Sequence, residues 1–208
     1  IRRPMKTPES GTEVFDPSFR ITGDPTIASG FVTDMGIVAS RTGGGTSDYH
    51  LIGSRLTGNL GMTTTSTNAE VTRGLEPLKW DYNNGWGGSD TASSFAVWYS
   101  FKRATGFFDV VAYTGDGVAG RTVAHNLGVA PELVIIKQRN ASGEDWKVGV
   151  NFTATNNQER ALNQTDPLVT LDYTSFGVFN SQPTASDITL NNSTSVNGSA
   201  STYIAYLF

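Results

Sequence analysis

Residues 107–113 have the sequence FFDVVAY, residues 133–137 have LVIIK, and residues 202–208 have TYIAYLF. Each stretch is rich in β-branched and aromatic residues, which favour strands. The turn formers Gly115-Asp116-Gly117 and Asn140-Ala141-Ser142-Gly143 follow the first two stretches closely. Short strands separated by such turns are typical of antiparallel sandwiches. The sequence therefore predicts an all-β fold.

Helical signals are nearly absent from the chain. The best candidate is NNQERALN at residues 156–163. This stretch is short, and its Asn and Gln content favours a turn. We therefore predict a turn or a single helical turn there.

The chain matches itself in three places, all of them predicted strands. The matching pairs are residues 14–16 (VFD) with 107–109 (FFD), 37–41 (IVASR) with 133–137 (LVIIK), and 96–101 (AVWYSF) with 203–208 (YIAYLF). The offsets are 93 (109 minus 16), 96 (133 minus 37) and 107 (208 minus 101) residues. An offset that grows along the chain indicates loops of different length between matching strands. We predict two tandem antiparallel β-sandwich domains related by an internal repeat, at residues 14–103 and 104–208.

The start of the chain resembles the junction between the repeats. Phe101-Lys102-Arg103-Ala104 at the junction is similar to Ile1-Arg2-Arg3-Pro4. Residues 1–13 are therefore predicted to be the end of a preceding repeat and a linker. The two basic pairs are interpreted as solvated linker charges.

Composition argues against several classes of protein. The 208 residues include no Cys, which excludes a disulfide scaffold, a thiolate metal site and a cysteine nucleophile. A net charge of -4 has the wrong sign for a phosphate-binding surface, so we expect no nucleic-acid partner. No apolar run approaches the roughly 18 residues of a spanning helix, and no secretion leader begins the chain. We therefore expect no membrane insertion.

Residues suited to acid–base or metal chemistry are interpreted as structural. His125 begins the turn His125-Asn126-Leu127-Gly128, and the only other His is His50. No close-spaced group of His and carboxylates suggests zinc or iron, and the acidic loops lack the ligand pattern of a calcium loop. The carboxylates considered are Asp16 and Asp109 at equivalent repeat positions, Asp116 in a turn, and Asp81, Asp90, Glu144 and Asp145 in loops. We predict no enzyme activity, no cofactor and no metal site.

The strongest candidate for ligand binding is WDYNNGWGG at residues 80–88. Aromatic faces stack on the C–H surfaces of sugars, while carboxylate and amide groups hydrogen-bond hydroxyls. We predict Trp80 and Tyr82 on one face of a strand, with a loop at 85–88 that carries Trp86. The alternative is that the aromatic rings fill the core of the first repeat. The predicted glycan-binding residues are Trp80, Asp81, Tyr82, Asn83, Asn84 and Trp86.

The second repeat contains a further set of characteristic strings. These are FFDVVAYTGDG at 107–117, HNLGVAPELVIIK at 125–137, DWK at 145–147 and TYIAY at 202–206. Together they resemble a β-rich module found repeatedly in tail fibres and other virion proteins of tailed bacteriophages, commonly marine and cyanobacterial phages. The first repeat is similar to the module that usually precedes it.

The resemblance implies a mechanical and adhesive role in a tail fibre or related virion appendage. It implies location in the virion, contacts with other virion proteins, assembly as a homotrimer, and a bacterial surface glycan as the ligand. It brings no catalytic residue. Three alternatives stay open: a carbohydrate-binding module of a secreted bacterial enzyme, a polysaccharide depolymerase, and a capsid or baseplate decoration protein.

Overall fold

The computed structural model describes residues 5–19, 26–40, 49–72, 76–89, 96–175 and 177–208. The fold is all-β, as predicted. In these ranges, strands form nearly all of the regular structure, and the helices are one 3-10 turn at Gly11–Glu13 and one α-helical turn, α1, at Thr194–Asn197. No helix in these ranges is long and apolar enough to cross a lipid bilayer.

Two compact units divide the chain. The first unit comprises residues 8–65 and 70–103, and the second comprises 66–69 and 104–208 with the described residues 5–7. The predicted repeats differ from this division at 66–69, which lie within 14–103 but pack in the second unit, and at 8–13, which pack in the first unit. The origin of residues 1–13 in a preceding repeat stays a prediction.

The first unit pairs a six-stranded sheet with a three-stranded one. The larger sheet has the antiparallel order β1-β9-β3-β4-β5-β6, and the smaller has the order β2-β8-β7. The strands are β1 (Phe15–Phe19), β2 (Thr26–Ala28), β3 (Met35–Ser40), β4 (Tyr49–Ser54), β5 (Leu60–Thr63), β6 (Val71–Thr72), β7 (Glu76–Lys79), β8 (Gly85–Ser89) and β9 (Ala96–Phe101).

The second unit has the same arrangement with a smaller second sheet. Its six strands follow the order β10-β17-β12-β13-β14-β15, and the second sheet contains β11 and β16. The strands are β10 (Asp109–Thr114), β11 (Arg121–Ala124), β12 (Leu133–Gln138), β13 (Lys147–Val150), β14 (Asn156–Ala161), β15 (Val169–Asp172), β16 (Asp187–Leu190) and β17 (Thr202–Leu207).

Strand order and pairing confirm the internal repeat. Asp16 pairs with Ser100 in the first unit as Asp109 pairs with Leu207 in the second, which reproduces the offsets of 93 and 107. Strands β3 and β12 match at an offset of 98 rather than 96, because Gly36 pairs with Ser100 where Val134 pairs with Leu207. A two-residue slip keeps every side chain on the same face of the sheet, so the sequence pattern alone did not reveal the error.

The structure contradicts the predicted turn or single helical turn at residues 156–163. Residues 156–161 form strand β14, whose inward side chains are Asn157, Glu159 and Ala161. The inward polar groups are hydrogen-bonded, since Asn157 Nδ2 donates to Glu159 Oε1 at 3.0 Å and Val178 N donates to both Glu159 carboxylate oxygens at 2.9 Å. Tertiary hydrogen bonds thus override a local preference for a turn.

A cluster of Trp side chains occupies the core of the first unit. Trp86 is fully buried, stacks on Trp80 at a centroid distance of 5.1 Å and lies tilted against Trp98 at 5.0 Å. A Cβ on Gly36 would lie 2.2 Å from Trp86 Cζ2, so glycine at 36 leaves the space that this indole fills. The cluster is completed by Ile27, Val38, Leu51, Leu78 and Ala96.

The second unit has its own core between the two sheets. The buried apolar residues are Val111, Val123, Leu127, Val134, Ile136, Val178, Phe179, Ile188, Leu190, Val196, Tyr203, Ala205 and Leu207. On the other face of the larger sheet, Lys137 Nζ donates to Thr67 O at 3.2 Å and Trp146 Nε1 donates to Ser66 O at 3.2 Å. These two bonds explain why residues 66–69 belong to this unit.

Candidate functional site

The structure places two residues of the predicted glycan patch in the core. Trp80 is 5% exposed and Trp86 is 0% exposed. Their indole N–H groups are also occupied, because Trp80 Nε1 donates to Gly58 O at 2.6 Å and Trp86 Nε1 donates to Ser100 Oγ at 2.9 Å. The predicted loop at 85–88 is part of strand β8, which directs the Trp86 side chain inward. These rings therefore pack the first unit and offer no face to a sugar.

The other four residues of that patch lie between β7 and β8. Asp81, Asn83 and Asn84 are exposed, and Tyr82 is half-buried. The Asn84 carbonyl accepts hydrogen bonds from Gly30 N at 3.0 Å and from Ser29 Oγ at 3.4 Å, which hold the turn. Without the indoles, these residues form a polar turn with one aromatic ring. Their role in glycan binding stays a prediction.

The His125 turn has the structure that the sequence indicates. It follows β11, and the buried His125 accepts a hydrogen bond at Nδ1 from Leu127 N at 3.2 Å. Asp109, also buried, accepts from Asn126 N at 2.7 Å. Gly128 has φ of 79°, a left-handed conformation that glycine adopts without strain. The imidazole and carboxylate thus satisfy the backbone of a turn at the end of a strand.

We expect this turn to make the second unit sensitive to acid. Burial lowers the pKa of His125 from its ordinary value of 6.5, although Asp109 favours the charged form. The unfolded chain then binds the proton more readily, so stability falls as the pH drops from about 6.5 through the folded pKa. Denaturation between about pH 7.5 and pH 5 should show this loss, and His125→Gln should reduce it. Parallel curves for the two proteins would contradict the expectation.

Two of the other carboxylates considered in the sequence, Asp116 and Asp145, hold loops through hydrogen bonds. Asp116 accepts from Val118 N and Arg121 Nη1, and the Val118 hydrogen bond is the largest cause of its lowered pKa. Asp145 accepts from Asn163 Nδ2 at 2.8 Å, which lowers the pKa of Asp145. In the described part of the chain, no three His, Asp or Glu residues come together as metal ligands. Asp90 lies outside the described residues.

A pocket of about 340 Å³ opens in the second unit, where the sequence indicated no site. Three chain segments form it: the residues before β12, those after β13 and those before β16. The lining residues are Ala130, Pro131, Glu132, Asn151, Phe152, Gln182 and Pro183. Because these residues are scattered over more than fifty positions and include no titratable cluster, a motif search does not find them.

The pocket combines apolar and polar lining groups. Pro131 and Pro183 are buried, and the half-buried Phe152 ring packs edge-on against Phe179 at a centroid distance of 5.0 Å. The polar side chains of the lining belong to Glu132, Asn151 and Gln182, and all three residues are exposed. Rigid apolar surface beside hydrogen-bonding groups suits a small polar ligand.

Backbone geometry fixes two of the polar residues. Glu132 N donates to Phe208 O at 2.7 Å, which ties the segment before β12 to the last strand. Asn151 has φ of 52°, a left-handed conformation that Asn tolerates better than most residues. Its Nδ2 donates to Gln158 Oε1 at 2.6 Å. The Asn151 amide is therefore held beside the pocket by its neighbour on β14.

Residues 47–208 match the family model described as Domain of unknown function (DUF7483). The chain belongs to this family. The DUF7483 match includes all the residues that line the pocket as well as the 80–86 patch. Among curated proteins and solved structures, no significant match is found.

In the first unit, an arginine side chain contacts the residues that match the pocket of the second unit. Asp34 N donates to Phe101 O at 2.8 Å, the counterpart of the Glu132 bond to Phe208. Arg55 follows β4 as Asn151 follows β13, and Arg55 N donates to Asp34 O at 2.9 Å. The guanidinium Nη2 donates to Thr33 O at 3.0 Å, while Nε lies 3.8 Å from Asp34 Oδ1. A side chain of the chain itself thus bridges the residues that correspond to the pocket.

Proposed function

We propose that this chain is a structural and adhesive module of a bacteriophage tail fibre or related virion appendage. The pocket of the second unit would bind one sugar residue of a bacterial surface glycan. The observation that carries the proposal is the joint presence of Pro131, Phe152 and Pro183 with the exposed amides of Asn151 and Gln182. The virion assignment rests on the resemblance described above.

Carbohydrate is the ligand class that fits this lining best. A pyranose ring presents C–H faces, which pack on proline and aromatic rings, and hydroxyls, which hydrogen-bond amides. A volume of about 340 Å³ is at the small end of ligand pockets, which suits a single sugar residue of a longer chain. A surface glycan offers many such residues, so a weak single site gains avidity when several copies of the module bind together.

The architecture supports a mechanical role. Two units of matching topology follow each other, and each has a buried core with long antiparallel pairings, such as the six residue pairs between β10 and β17. Stability in both units derives from packing and hydrogen bonding without disulfides, because the chain has no Cys. Repetition of a stable unit along one chain is a common way to build a spacer.

The test is binding of the labelled 208-residue chain to bacterial cells and to purified surface polysaccharides. Asn151→Gly keeps the positive φ and removes the amide, and Gln182→Ala removes the second amide. If each hydrogen bond contributes about 1 kcal/mol, the double variant should bind roughly tenfold to thirtyfold more weakly. Asp81→Ala with Asn83→Ala tests the rival site in the first unit, because a site in the second-unit pocket predicts that this variant binds as the wild type does.

The outcomes separate the proposal from its alternatives. Loss of binding in the 81/83 variant alone would move the site to the turn between β7 and β8. Binding to cellulose or starch but to no bacterial surface would favour a module of a secreted enzyme. Absence of binding to every glycan would contradict the adhesive function.

A further inference from the structure

The position of the second-unit pocket has a counterpart in the first unit, and there the guanidinium of Arg55 supplies a positive charge. Matching pairs of residues identify the position, since Gly36 pairs with Gly53 as Val134 pairs with Gly149. In the first unit, Asp34 lies two residues before Gly36, and Arg55 lies two residues after Gly53. In the second unit, Glu132 and Asn151 lie at the same distances from Val134 and Gly149. The carboxylate is therefore present in both units, whereas the guanidinium is present only in the first.

The Glu132 carboxylate has no counterpart to Arg55. Among the described residues, none forms a hydrogen bond or an ion pair with the Glu132 side chain, whereas the Asp34 carboxylate accepts from Arg103 N at 2.9 Å in addition to its ion pair with Arg55. The residue that corresponds to Thr33, whose carbonyl accepts from Arg55, is Pro131. Pro131 and Glu132 both line the pocket. A cation bound in the pocket would therefore lie next to the Pro131 carbonyl and the Glu132 carboxylate. An acidic group next to an apolar wall favours a positively charged ligand over a neutral one of the same shape.

We propose that the pocket binds an amino sugar through its ammonium group, which takes the place that the Arg55 guanidinium has in the first unit. This inference rests on the proposed function and specifies its ligand: a glycan residue with a free amine. The Glu132 carboxylate pairs with the ammonium, the apolar rings of the pocket contact the sugar C–H face, and the Asn151 and Gln182 amides bind its hydroxyls.

Matched monosaccharides test the charge directly. The probes are the methyl glycosides of glucosamine and galactosamine and their N-acetylated forms, titrated into the 208-residue chain with NMR detection. The pairs share a ring and differ in the ammonium. We expect the free amines to bind more tightly, and Glu132→Gln to weaken their binding about threefold to fivefold while leaving the N-acetylated forms unchanged. Glu132 is exposed, so this variant should fold.

Two further variants act as controls. Asp34→Asn changes the corresponding carboxylate in the first unit and should leave binding unchanged. Asn151→Arg restores the first-unit arrangement beside Glu132 and should reduce binding of the amines further than Glu132→Gln does. Because Asn151 has a left-handed φ of 52°, the fold of this variant is checked by its amide spectrum.

Several results would overturn the inference. If the free and acetylated sugars bind equally, or if Glu132→Gln leaves their ratio unchanged, the ammonium is not recognised, although the glycan-binding function stands. If no monosaccharide binds but a surface polysaccharide still requires Asn151 and Gln182, the function again stands and the amino sugar is excluded. Binding of N-acetyl-arginine amide without any amino sugar would indicate a basic peptide and overturn the inference. Absence of all glycan binding removes both proposals.

Discussion

Replacing Trp86 with alanine is expected to unfold the first unit or to leave it marginally stable. Trp→Ala changes in a core cost about 3–5 kcal/mol, and a domain of this size has a total stability of about 5–15 kcal/mol. Trp86 should be at the upper end of that range. It is fully buried, contacts the rings of Trp80 and Trp98, and its removal leaves the Ser100 hydroxyl without its indole partner.

The environment of Trp86 gives the chain no simple way to close the cavity. The space in front of strand β3 exists because residue 36 is glycine, which supplies no side chain to refill it. The Trp80 ring is held by its own bond to Gly58 O, so it does not move into the gap without losing that bond. Cavities whose walls relax little have the highest cost.

Chemical denaturation monitored by NMR amide signals of the first unit measures this effect. Tyr82→Ala is the matched control, because it removes a half-buried aromatic ring from the adjacent turn and should cost less than about 1 kcal/mol. If Trp86→Ala leaves the free energy of unfolding unchanged but abolishes glycan binding, the indole acts as a ligand contact and the packing role is wrong.

The all-β fold and the internal repeat were predictable because both depend on local signals. Runs such as residues 133–137 have strong β preference, and matching runs recur at similar spacing along the chain. The exact match between β3 and β12 was not predictable, because a slip of two residues preserves the alternation of inward and outward side chains. Only the pairing with the neighbouring strand determines the register.

The functional prediction failed for Trp80 and Trp86 for a different reason. Alternation predicted that Trp80 and Tyr82 share a face of a strand, but β7 ends at Lys79 and both residues lie in the connection to β8, where Trp80 is buried and Tyr82 is half-buried. The glycines around Trp86 suggested a loop, whereas the structure uses Gly85 where β8 approaches β2 closely: a Cβ there would lie 1.8 Å from Ile27 O. A glycine required by tight packing and a glycine in a loop are identical in the sequence.

The pocket of the second unit illustrates what the repeat adds to a single sequence. Neither Glu132 nor Asn151 stands out alone, and the two are nineteen residues apart. Their meaning comes from the first unit, where the matching residues are Asp34 and Arg55 and form an ion pair. Divergence between two copies of one fold thus shows where the second copy lacks an internal contact of the first, and Glu132 at this position is the group that the proposed ligand would meet.

The same divergence predicts a large loss of stability for Glu159→Ala. In the first unit, Gly61 holds the position of Glu159, since Gly61 pairs with Val71 as Glu159 pairs with Val169, and β7 adds a third strand to the smaller sheet. The second unit has no such third strand among its described residues. Instead, the Glu159 carboxylate accepts hydrogen bonds from Val178 N at 2.9 Å and Phe179 N at 3.3 Å.

Alanine at 159 would leave these buried N–H groups without an acceptor beside the core residue Phe179. Hydrogen bonds to a charged group contribute about 1.5–3 kcal/mol each, so we expect a loss of about 4 kcal/mol in the second unit. Glu159→Gln keeps one acceptor oxygen and should lose about half as much. Gln158→Ala, on the outward face of the same strand, is the control and should cost less than about 1 kcal/mol.

Hydrogen exchange at the Val178 and Phe179 amides tests whether the Glu159 carboxylate is their acceptor. If these amides exchange as slowly in Glu159→Ala as in the wild type, another group holds them, and Glu159 does not replace the missing strand.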